Sequence, residues 1–363
     1  MVLEEYEGFV VIGAGPAGSA FTYLASRKLN ADVIVYEALS RPGAKACGWG
    51  LIRSVEEYID VIPKRYILNK IKGFKIYVDN VEVVRYVSRK TFAYMIDRPK
   101  LMEYYIGPGN VHFNTKVSIE EITKNYPNYL PVIASGYMWS PRKRKLIIGV
   151  EYLVENAKID EPEYFEVHSW QGFIGYLWIF PFNDRIAHVG VGGLTSYSEL
   201  VNMLETFLKN DYRFKNISIA RKYVGLVSID GVRKEYMSPN YPVIGEALGT
   251  VLPLTGEGMR PSIISAWCLV EAIKRGNWRL YLRLLKRTGV IQSIVFQKKV
   301  FEYIERRHAR LNVSRIKSLV KDCEWLVYEI AFGRPSWSII LKALPCGLHR
   351  AIAVAGLLKR YMG

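Results

Sequence analysis

The alternation of apolar and polar positions predicts strands and helices along most of the chain. Residues 9–37 read FVVIGAGPAGSAFTYLASRKLNADVIVYE: an apolar run, a glycine-rich turn, a helical pattern and a second apolar run. This order predicts a strand, a turn, a helix and a second strand. Other apolar runs predict further strands, with hairpins around Asp79-Asn80 and Asn183-Asp184, in the segments 71–88, 111–117, 130–134 and 146–193.

Helical periodicity accounts for most of the remaining chain. We expect Arg89 to open a helix that runs to about Tyr105, before the breaker Gly107-Pro108-Gly109. Further helices are predicted over about 198–209, up to about Lys274, and through 278–363.

The glycine-rich turn predicts a specific chemistry. Gly13 permits the tight turn, Gly15 leaves room for a pyrophosphate, and Gly18 lets the helix pack closely on the strand. The helix N-terminus presents free N–H groups to the phosphate charge. Glu37 lies 19 residues after Gly18, where a carboxylate can accept the ribose hydroxyls. The pattern therefore predicts a dinucleotide-binding site.

Length and composition predict a globular protein. The 363 residues, 50% of them hydrophobic, suffice for one large domain or two interleaved domains with an ample core. We expect no signal peptide, because the first strand begins almost at once, and no apolar run reaches the roughly 20 residues that span a bilayer. We expect a cytoplasmic protein, with peripheral contact at the inner face of the membrane as a further option.

The positive charge is concentrated in the C-terminal third. The net charge is +16, and residues 260–363 carry 20 Lys/Arg against 6 Asp/Glu. Such asymmetry indicates an anionic partner, such as a phospholipid surface, a phosphorylated substrate or an acidic redox protein; solvated helix faces are the alternative. We expect no nucleic-acid binding, because no recognised binding motif accompanies the charge.

The four cysteines show no metal-ligand spacing, so we expect no metal site. The chain has only three Gln and many Tyr, Ile, Lys and Arg, a composition typical of thermophiles, in which intracellular disulfides occur. A bridge between Cys323 and Cys346 would close a loop of about 24 residues and stabilise the fold by roughly 3 kcal/mol.

Three later motifs sharpen the prediction. They are Lys45-Ala46-Cys47-Gly48, the strand YLWIFP at 176–181, and GEALG at 245–249 followed by PLTGEG at 253–258. Together with GAGPAG they resemble the geranylgeranyl reductase family of FAD-dependent oxidoreductases, which have the p-hydroxybenzoate hydroxylase fold; the chain is similar to a divergent archaeal member. The resemblance implies an α/β fold: a Rossmann-type FAD-binding domain, an antiparallel β-sheet substrate domain and a helical C-terminal region.

We expect these three parts to be discontinuous in sequence. The FAD-binding domain would comprise 1–65, 86–145 and 221–277, the substrate sheet 66–85 and 146–220, and the helical region 278–363.

The resemblance also implies roles for individual residues. FAD would lie with its pyrophosphate at Gly13, Gly15, Ala17 and Gly18, its ribose at Glu37, and its phosphates within reach of Arg89. The segment with Pro253, Gly256, Gly258 and Met259 would lie along the isoalloxazine, and Ala46 and Cys47 would also contact the cofactor. Glu246 stands where the family usually has an Asp that binds the ribityl hydroxyl. An apolar tunnel would be formed by Tyr176, Trp178, Phe180 and Pro181.

The implied function is reduction of carbon–carbon double bonds in an isoprenoid lipid or quinone tail, with hydride from reduced FAD. For the proton donor, Cys47, Tyr176 and a bound water remain open, whereas His188 is expected to be structural. The chain has one dinucleotide fingerprint, so the reductant would be transient NAD(P)H or a ferredoxin-like protein acting on a monomer. Two other functions remain open: an aromatic or quinone monooxygenase, and a catalytically degenerate flavin- or lipid-binding paralogue. Tyr176, Trp178 and Phe180 could also be simple core residues.

Overall fold

The computed structural model describes residues 5–107, 110–139, 143–307, 321, 323–333 and 359. Its helices are α1 (Pro16–Lys28), α2 (Arg98–Ile106), α3 (Ile119–Asn125), α4 (Tyr197–Asn210), α5 (Met259–Lys274), α6 (Tyr281–Arg287), α7 (Val290–Arg307) and α8 (Glu324–Ala331). Its strands are β1 (Gly8–Ile12), β2 (Asp32–Tyr36), β3 (Gly50–Ile52), β4 (Ile67–Ile71), β5 (Gly73–Val78), β6 (Val81–Val87), β7 (Ala93–Ile96), β8 (Asn110–His112), β9 (Tyr129–Ile133), β10 (Leu146–Glu155), β11 (Tyr164–Ser169), β12 (Gly175–Pro181), β13 (Ala187–Gly193) and β14 (Ser218–Ser228).

A four-stranded parallel sheet, in the order β8-β2-β1-β9, forms the first layer of the fold. Phe9 and Val11 on β1 face a core that includes α1 and α5, whereas Val10 packs on the other face against Ile122 of α3. Because both faces are covered, the strands are apolar runs rather than alternating ones. The strand–turn–helix–strand unit predicted for 9–37 is confirmed.

A seven-stranded sheet, in the order β14-β10-β13-β12-β11-β5-β6, forms the second layer. All its pairs are antiparallel except β11 with β5. Leu177 and Ile179 of β12 face α4 and pack with its Leu200 and Leu204. A capping box at Ser196 fixes the start of α4. Since side chains alternate along a strand, Trp178 and its neighbours at 176 and 180 face the opposite side of the sheet.

The helix predicted from Arg89 is wrong over its first part. Residues 93–96 form β7, which pairs with β3 and β4 in a three-stranded sheet. The helix begins only at Arg98, where the Asp97 side chain accepts a hydrogen bond from the Lys100 amide at 3.3 Å. All four residues of β7 are buried, so pairing within the sheet decides the conformation rather than helix propensity.

The predicted hairpins at Asp79-Asn80 and Asn183-Asp184 join β5 to β6 and β12 to β13. Strand β14 runs in the seven-stranded sheet as far as Ser228, while the domain boundaries given above stay a prediction. Cys346 lies outside the described residues, so its bridge to Cys323 also stays a prediction. In the described part of the chain, no helix is long and apolar enough to cross a bilayer.

Candidate active site

One continuous cavity of ≈ 1330 Å³ joins the glycine turn after β1 to the seven-stranded sheet. Gly15 and Glu37 line one end, and Trp178 lines the other together with Phe332, which follows α8. A volume of about 300–1,000 Å³ is usual for a site that holds one small ligand. This cavity is larger, so it has room for a dinucleotide and for part of a second molecule.

The three glycines of the turn differ in what surrounds them. Gly13 has a backbone φ of +105°, and a Cβ there would lie 2.6 Å from the Ala134 carbonyl oxygen. A Cβ on Gly18 would lie 1.9 Å from the Gly13 carbonyl oxygen, so helix and turn are in direct contact. A Cβ on Gly15, by contrast, would meet nothing within 4 Å. This open space faces the cavity at the N-terminus of α1, where an anion is favoured.

Glu37 connects the end of β2 to the glycine turn. Its Oε2 accepts a hydrogen bond from the Ala14 amide at 2.7 Å, and its Oε1 accepts one from the Leu39 amide at 2.8 Å. A carboxylate can accept about four hydrogen bonds, so lone pairs remain for a hydroxyl of a ligand in the cavity. Ala17 lines the same end of the cavity, in the first turn of α1.

The position expected for Arg89 is taken by another arginine. Arg89 is exposed and does not line the cavity, because it precedes β7 at the far end of that strand. Arg98 lines the cavity and is buried. Its Nη1 donates to the Lys45 carbonyl oxygen at 2.6 Å, while its Nε has no hydrogen-bond partner among the described residues. A buried guanidinium with a free donor suits a phosphate; the Asp97-Arg98-Pro99 helix start was the available sequence signal.

Lys45 and Glu246 both line the cavity and form an ion pair with each other. Lys45 Nζ lies 2.6 Å from Glu246 Oε2, and Glu246 Oε1 accepts a hydrogen bond from the Ser228 amide at 2.9 Å. The lysine ammonium also lies 4.8 Å from the centre of the Tyr137 ring. Sequence reasoning singled out both residues but did not predict that they pair.

Arg144 is a second buried arginine that sequence reasoning missed. Its guanidinium lies 3.8 Å from the centre of the Tyr236 ring and donates to the carbonyl oxygens of Trp139, Glu246 and Ala247. Burial lowers the pKa of this guanidinium, although the nearby charges oppose the shift. Arg144 therefore holds the 245–247 turn in place beside the cavity.

The segment 253–258 lines the cavity ahead of α5. Leu254 N donates to Oε1 of the buried Gln297 at 3.2 Å, and the Gln297 amide nitrogen donates to the Ala331 carbonyl oxygen at 2.8 Å. The Tyr176 hydroxyl donates to the Thr255 carbonyl oxygen. Gln297 thus fixes this segment to the C-terminal helices, a contact that no local sequence pattern indicated. The other lining residues here are Pro253, Gly256, Glu257, Gly258 and Met259.

The loop that carries Cys47 crosses the inner face of the seven-stranded sheet. A Cβ on Gly48 would lie 2.7 Å from the Phe180 ring, and one on Gly225 would lie 3.0 Å from the Ala46 Cβ. Cys47 lines the cavity near Tyr176. Burial raises the pKa of the Tyr176 phenol, and the Cys47 charge adds to this shift. The phenol is therefore neutral and acts as a hydrogen-bond donor.

The aromatic residues of β12 form a wall of the cavity. Tyr176, Trp178 and Phe180 line it, in contrast to Leu177 and Ile179, which face α4. Pro181 departs from the predicted set, because it is buried at the end of β12 and does not line the cavity. Alternation places it on the same face as Ile179.

Comparison with known proteins gives consistent results. Residues 11–51 match a family model described as an NAD(P)-binding Rossmann-like domain. A digeranylgeranylglycerophospholipid reductase of Methanococcus vannielii is 26% identical, over 71% of this chain and 74% of the relative. A protein of that name from Thermoplasma acidophilum is 24% identical, over 87% of this chain and 88% of the relative. The predicted resemblance to the geranylgeranyl reductase family is confirmed.

Solved structures confirm the predicted fold class. A geranylgeranyl bacteriochlorophyll reductase-like protein of Thermoplasma acidophilum has a TM-score of 0.76 at 22% identity, over 98% of both chains. A flavin-dependent brominase has a TM-score of 0.67 at 12% identity, over 90% of this chain and 94% of the other. The molecule therefore has the α/β fold of flavin-dependent oxidoreductases.

The residues present fit the FAD that this fold implies. Gly15 faces open space, the Nε of Arg98 is a buried donor without a partner among the described residues, and the N-termini of α1 and α5 both lie at the cavity. These groups favour a diphosphate at one end and a ring with developing negative charge at the other.

Proposed function

We propose that this protein is an FAD-dependent reductase that hydrogenates carbon–carbon double bonds in the prenyl chains of an isoprenoid lipid. The observation that carries the proposal is the single cavity that joins the glycine turn to the aromatic wall of β12. The name of the curated relatives, digeranylgeranylglycerophospholipid reductase, supports a lipid with geranylgeranyl chains as substrate.

The cofactor-binding residues divide along the cavity. The turn from Gly13 to Gly18, together with Arg98, would hold the diphosphate, and Glu37 would accept the ribose hydroxyls. The segment 253–259 would contact the ring system, with Ala46 and Cys47 on the other side. FAD, when bound and reduced, supplies the hydride. An unactivated alkene has no carbonyl to polarise, so the contribution of the protein is positioning and exclusion of water.

The apolar walls provide both contributions. Trp178 and Phe180 come from the sheet, whereas Phe301 and Phe332, which line the same cavity, come from the C-terminal part of the chain. A prenyl chain gains about 25 cal/mol per Å² of apolar surface that it buries here. We therefore propose that the C-terminal helices complete the substrate site, in addition to presenting the positive charges of the C-terminal third.

The proposed partners are a reductant of the flavin and an anionic membrane surface. A single dinucleotide fingerprint favours a transient reductant, either NAD(P)H or a ferredoxin-like protein, acting on a monomer. Six exposed cations extend from the end of α5 through α6, and none forms an ion pair with another described residue: Lys274, Arg275, Arg279, Arg283, Lys286 and Arg287. This set, called the basic face below, suits the anionic inner surface of a membrane, from which a lipid substrate would enter.

The deciding experiment starts with the absorption spectrum of the purified protein. The bound flavin is then reduced in the absence of oxygen, a geranylgeranyl lipid is added, and the product is analysed by mass spectrometry. We expect two hydrogens to be gained per double bond. A gain of oxygen in a parallel incubation with air would identify a monooxygenase instead, and a flavin that no reductant bleaches would identify a non-catalytic paralogue.

A further inference from the structure

A buried acid–histidine pair lies in the wall of the otherwise apolar end of the cavity. Glu151 of β10 lines the cavity and is 2% exposed, and His188 of β13 is fully buried behind it. Glu151 Oε1 lies 2.5 Å from His188 Nδ1. Glu151 Oε2 accepts the indole N–H of Trp178 at 3.0 Å. His188 Nε2 has no partner among the described residues.

The sheet is built to let the indole reach this carboxylate. Glu151, Gly190 and Trp178 stand side by side on β10, β13 and β12. A Cβ at Gly190 would lie 2.3 Å from the indole ring, so only glycine leaves it this space. Apolar residues at 151 and 188 would pack here without the cost of burying a charge. A buried ionisable pair that faces a substrate cavity is a candidate for chemistry rather than for stability.

The surroundings of the pair are aromatic. The His188 ring lies 4.9 Å from Trp49, 5.0 Å from Phe182 and 5.7 Å from Tyr223, measured between ring centres. Of these three neighbouring side chains, Tyr223 is the one that can itself titrate. An ionised carboxylate and a neutral imidazole together carry one negative charge. When they share one additional proton, the pair has no net charge, and apolar surroundings favour this form.

We propose that Glu151 donates the proton that completes reduction of the substrate double bond, with His188 as a positioning residue that shares this proton. The proposal rests on the proposed function. Hydrogenation adds a hydride, which brings both electrons, to one alkene carbon, and a proton to the other. The Glu151 O–H bond breaks as the C–H bond forms, and the pair regains its proton from water.

The activity test compares Glu151→Gln with Glu166→Gln in the FAD-loaded enzyme. Gln keeps the size of the side chain but cannot supply the proton. Glu166 is a matched control, since it is also buried and bonded to a histidine, but it lies on the face of the same sheet that packs against α4. We expect Glu151→Gln to keep the flavin spectrum and lose about 10²- to 10⁴-fold in the rate of lipid reduction. Glu166→Gln should keep the wild-type rate below its melting temperature.

A second measurement does not depend on activity. The chain has five histidines, so selective ¹⁵N labelling is tractable, and His188→Gln assigns the ring signals of His188. We expect these signals to change with pH in the wild type and in Glu166→Gln, and to lose this response in Glu151→Gln, where no carboxylate stabilises the shared proton. If Glu151→Gln does not fold, the pH response of His188 in the wild type still tests the inference.

The outcomes are distinct. If the wild type reduces the lipid and Glu151→Gln is equally fast, the proton comes from elsewhere and the inference is overturned, while the proposed function stands. His188 signals that do not respond to pH in the wild type also overturn it. If the wild type reduces no prenyl lipid, the proposed function fails, and the role of Glu151 fails with it.

Discussion

The ammonium nitrogen of Lys45 lies 2.6 Å from a carboxylate oxygen of Glu246, although 201 positions separate the two residues along the chain. The pair joins the loop after β2 to the turn ahead of α5, and both residues line the cavity. Glu246 is one methylene longer than the aspartate usual in the family. Its carboxylate bonds the Ser228 amide and the lysine at the same time.

This relationship gives a first prediction. Lys45→Met should weaken FAD binding about tenfold or more, because it removes a cation from the proposed cofactor cavity and leaves Glu246 unpaired there. The free energy of unfolding should fall by only about 1 kcal/mol, as for other ion pairs that are partly exposed to solvent. Titration of the apoprotein with FAD, followed by flavin fluorescence, measures the affinity. Lys72→Met is the control, because Lys72 pairs with Glu163 on the surface; equal FAD affinity in both variants would contradict the prediction.

The glycine turn gives a second prediction, in which one substitution affects flavin binding and another affects stability. Gly15→Val should fold with an unchanged melting temperature and yet be colourless, since its side chain enters open space that the diphosphate needs. Gly18→Val should be destabilised instead, because its Cβ would collide with the Gly13 carbonyl. Thermal unfolding and the visible spectrum of each variant test this. A full flavin spectrum in Gly15→Val would show that the cofactor lies elsewhere.

The aromatic wall gives a third prediction. Trp178→Ala should lower kcat/KM for long prenyl chains more than for short ones, because the lost wall area scales with the chain that it covers. Ile179→Val serves as the control on the opposite face of the same strand, and should cost about 0.5–1.5 kcal/mol of stability without dependence on chain length. Equal losses for all chain lengths in Trp178→Ala would assign the indole to the core alone.

The opposite face of the sheet gives a prediction on pH. Burial on its own raises the pKa of Glu166, but the hydrogen bond from His168 and the charges of Arg213 and Lys75 outweigh it and lower the pKa to about 2. A carboxyl with a lowered folded-state pKa stabilises the fold above its unfolded value, near 4.3, and loses this contribution as pH falls towards 2.

We therefore expect the free energy of unfolding to fall by about 3 kcal/mol over that acid range in the wild type, through this group. In Glu166→Gln the corresponding part of the pH dependence should be absent, and stability at neutral pH should be lower. Denaturant titrations at several pH values measure both. Glu163→Gln, on the surface, should retain the wild-type dependence of stability on pH. Glu166→Gln would retain it too if the contacts of Glu166 with its charged neighbours were unimportant, and this result would contradict the prediction.

The basic face gives a fifth prediction. Arg283→Gln/Lys286→Gln/Arg287→Gln should weaken binding to anionic vesicles, by about 1 kcal/mol for each charge removed. Wild-type binding should be lost at high salt, because the Debye length shrinks to about 3 Å at 1 M. Co-sedimentation across a salt series measures this, with Lys124→Gln/Lys209→Gln/Lys215→Gln as a control of equal charge change at exposed positions elsewhere. Indifference to lipid charge would remove the membrane from the proposal.

Local sequence was sufficient where neighbouring residues determine the structure. The unit from β1 to Glu37 follows from an apolar run, a turn that needs glycine at a positive φ, and a helix, all within 29 consecutive residues. The hairpins at Asp79-Asn80 and Asn183-Asp184 were predictable for the same reason. Helix α4 was predictable too, because its capping box and its apolar stripe are both local.

Only the tertiary structure decided the rest. Alternation showed that residues 176, 178 and 180 share a face, but the packing of α4 on Leu177 and Ile179 decided that this face lines the cavity. Pairing with β3 and β4 turned 93–96 into a strand, which made Arg98 the buried arginine instead of Arg89. The partners in Lys45–Glu246 and Glu151–His188 stand on separate strands or loops. A sequence records which side chains are available, whereas such contacts depend on how distant segments pack.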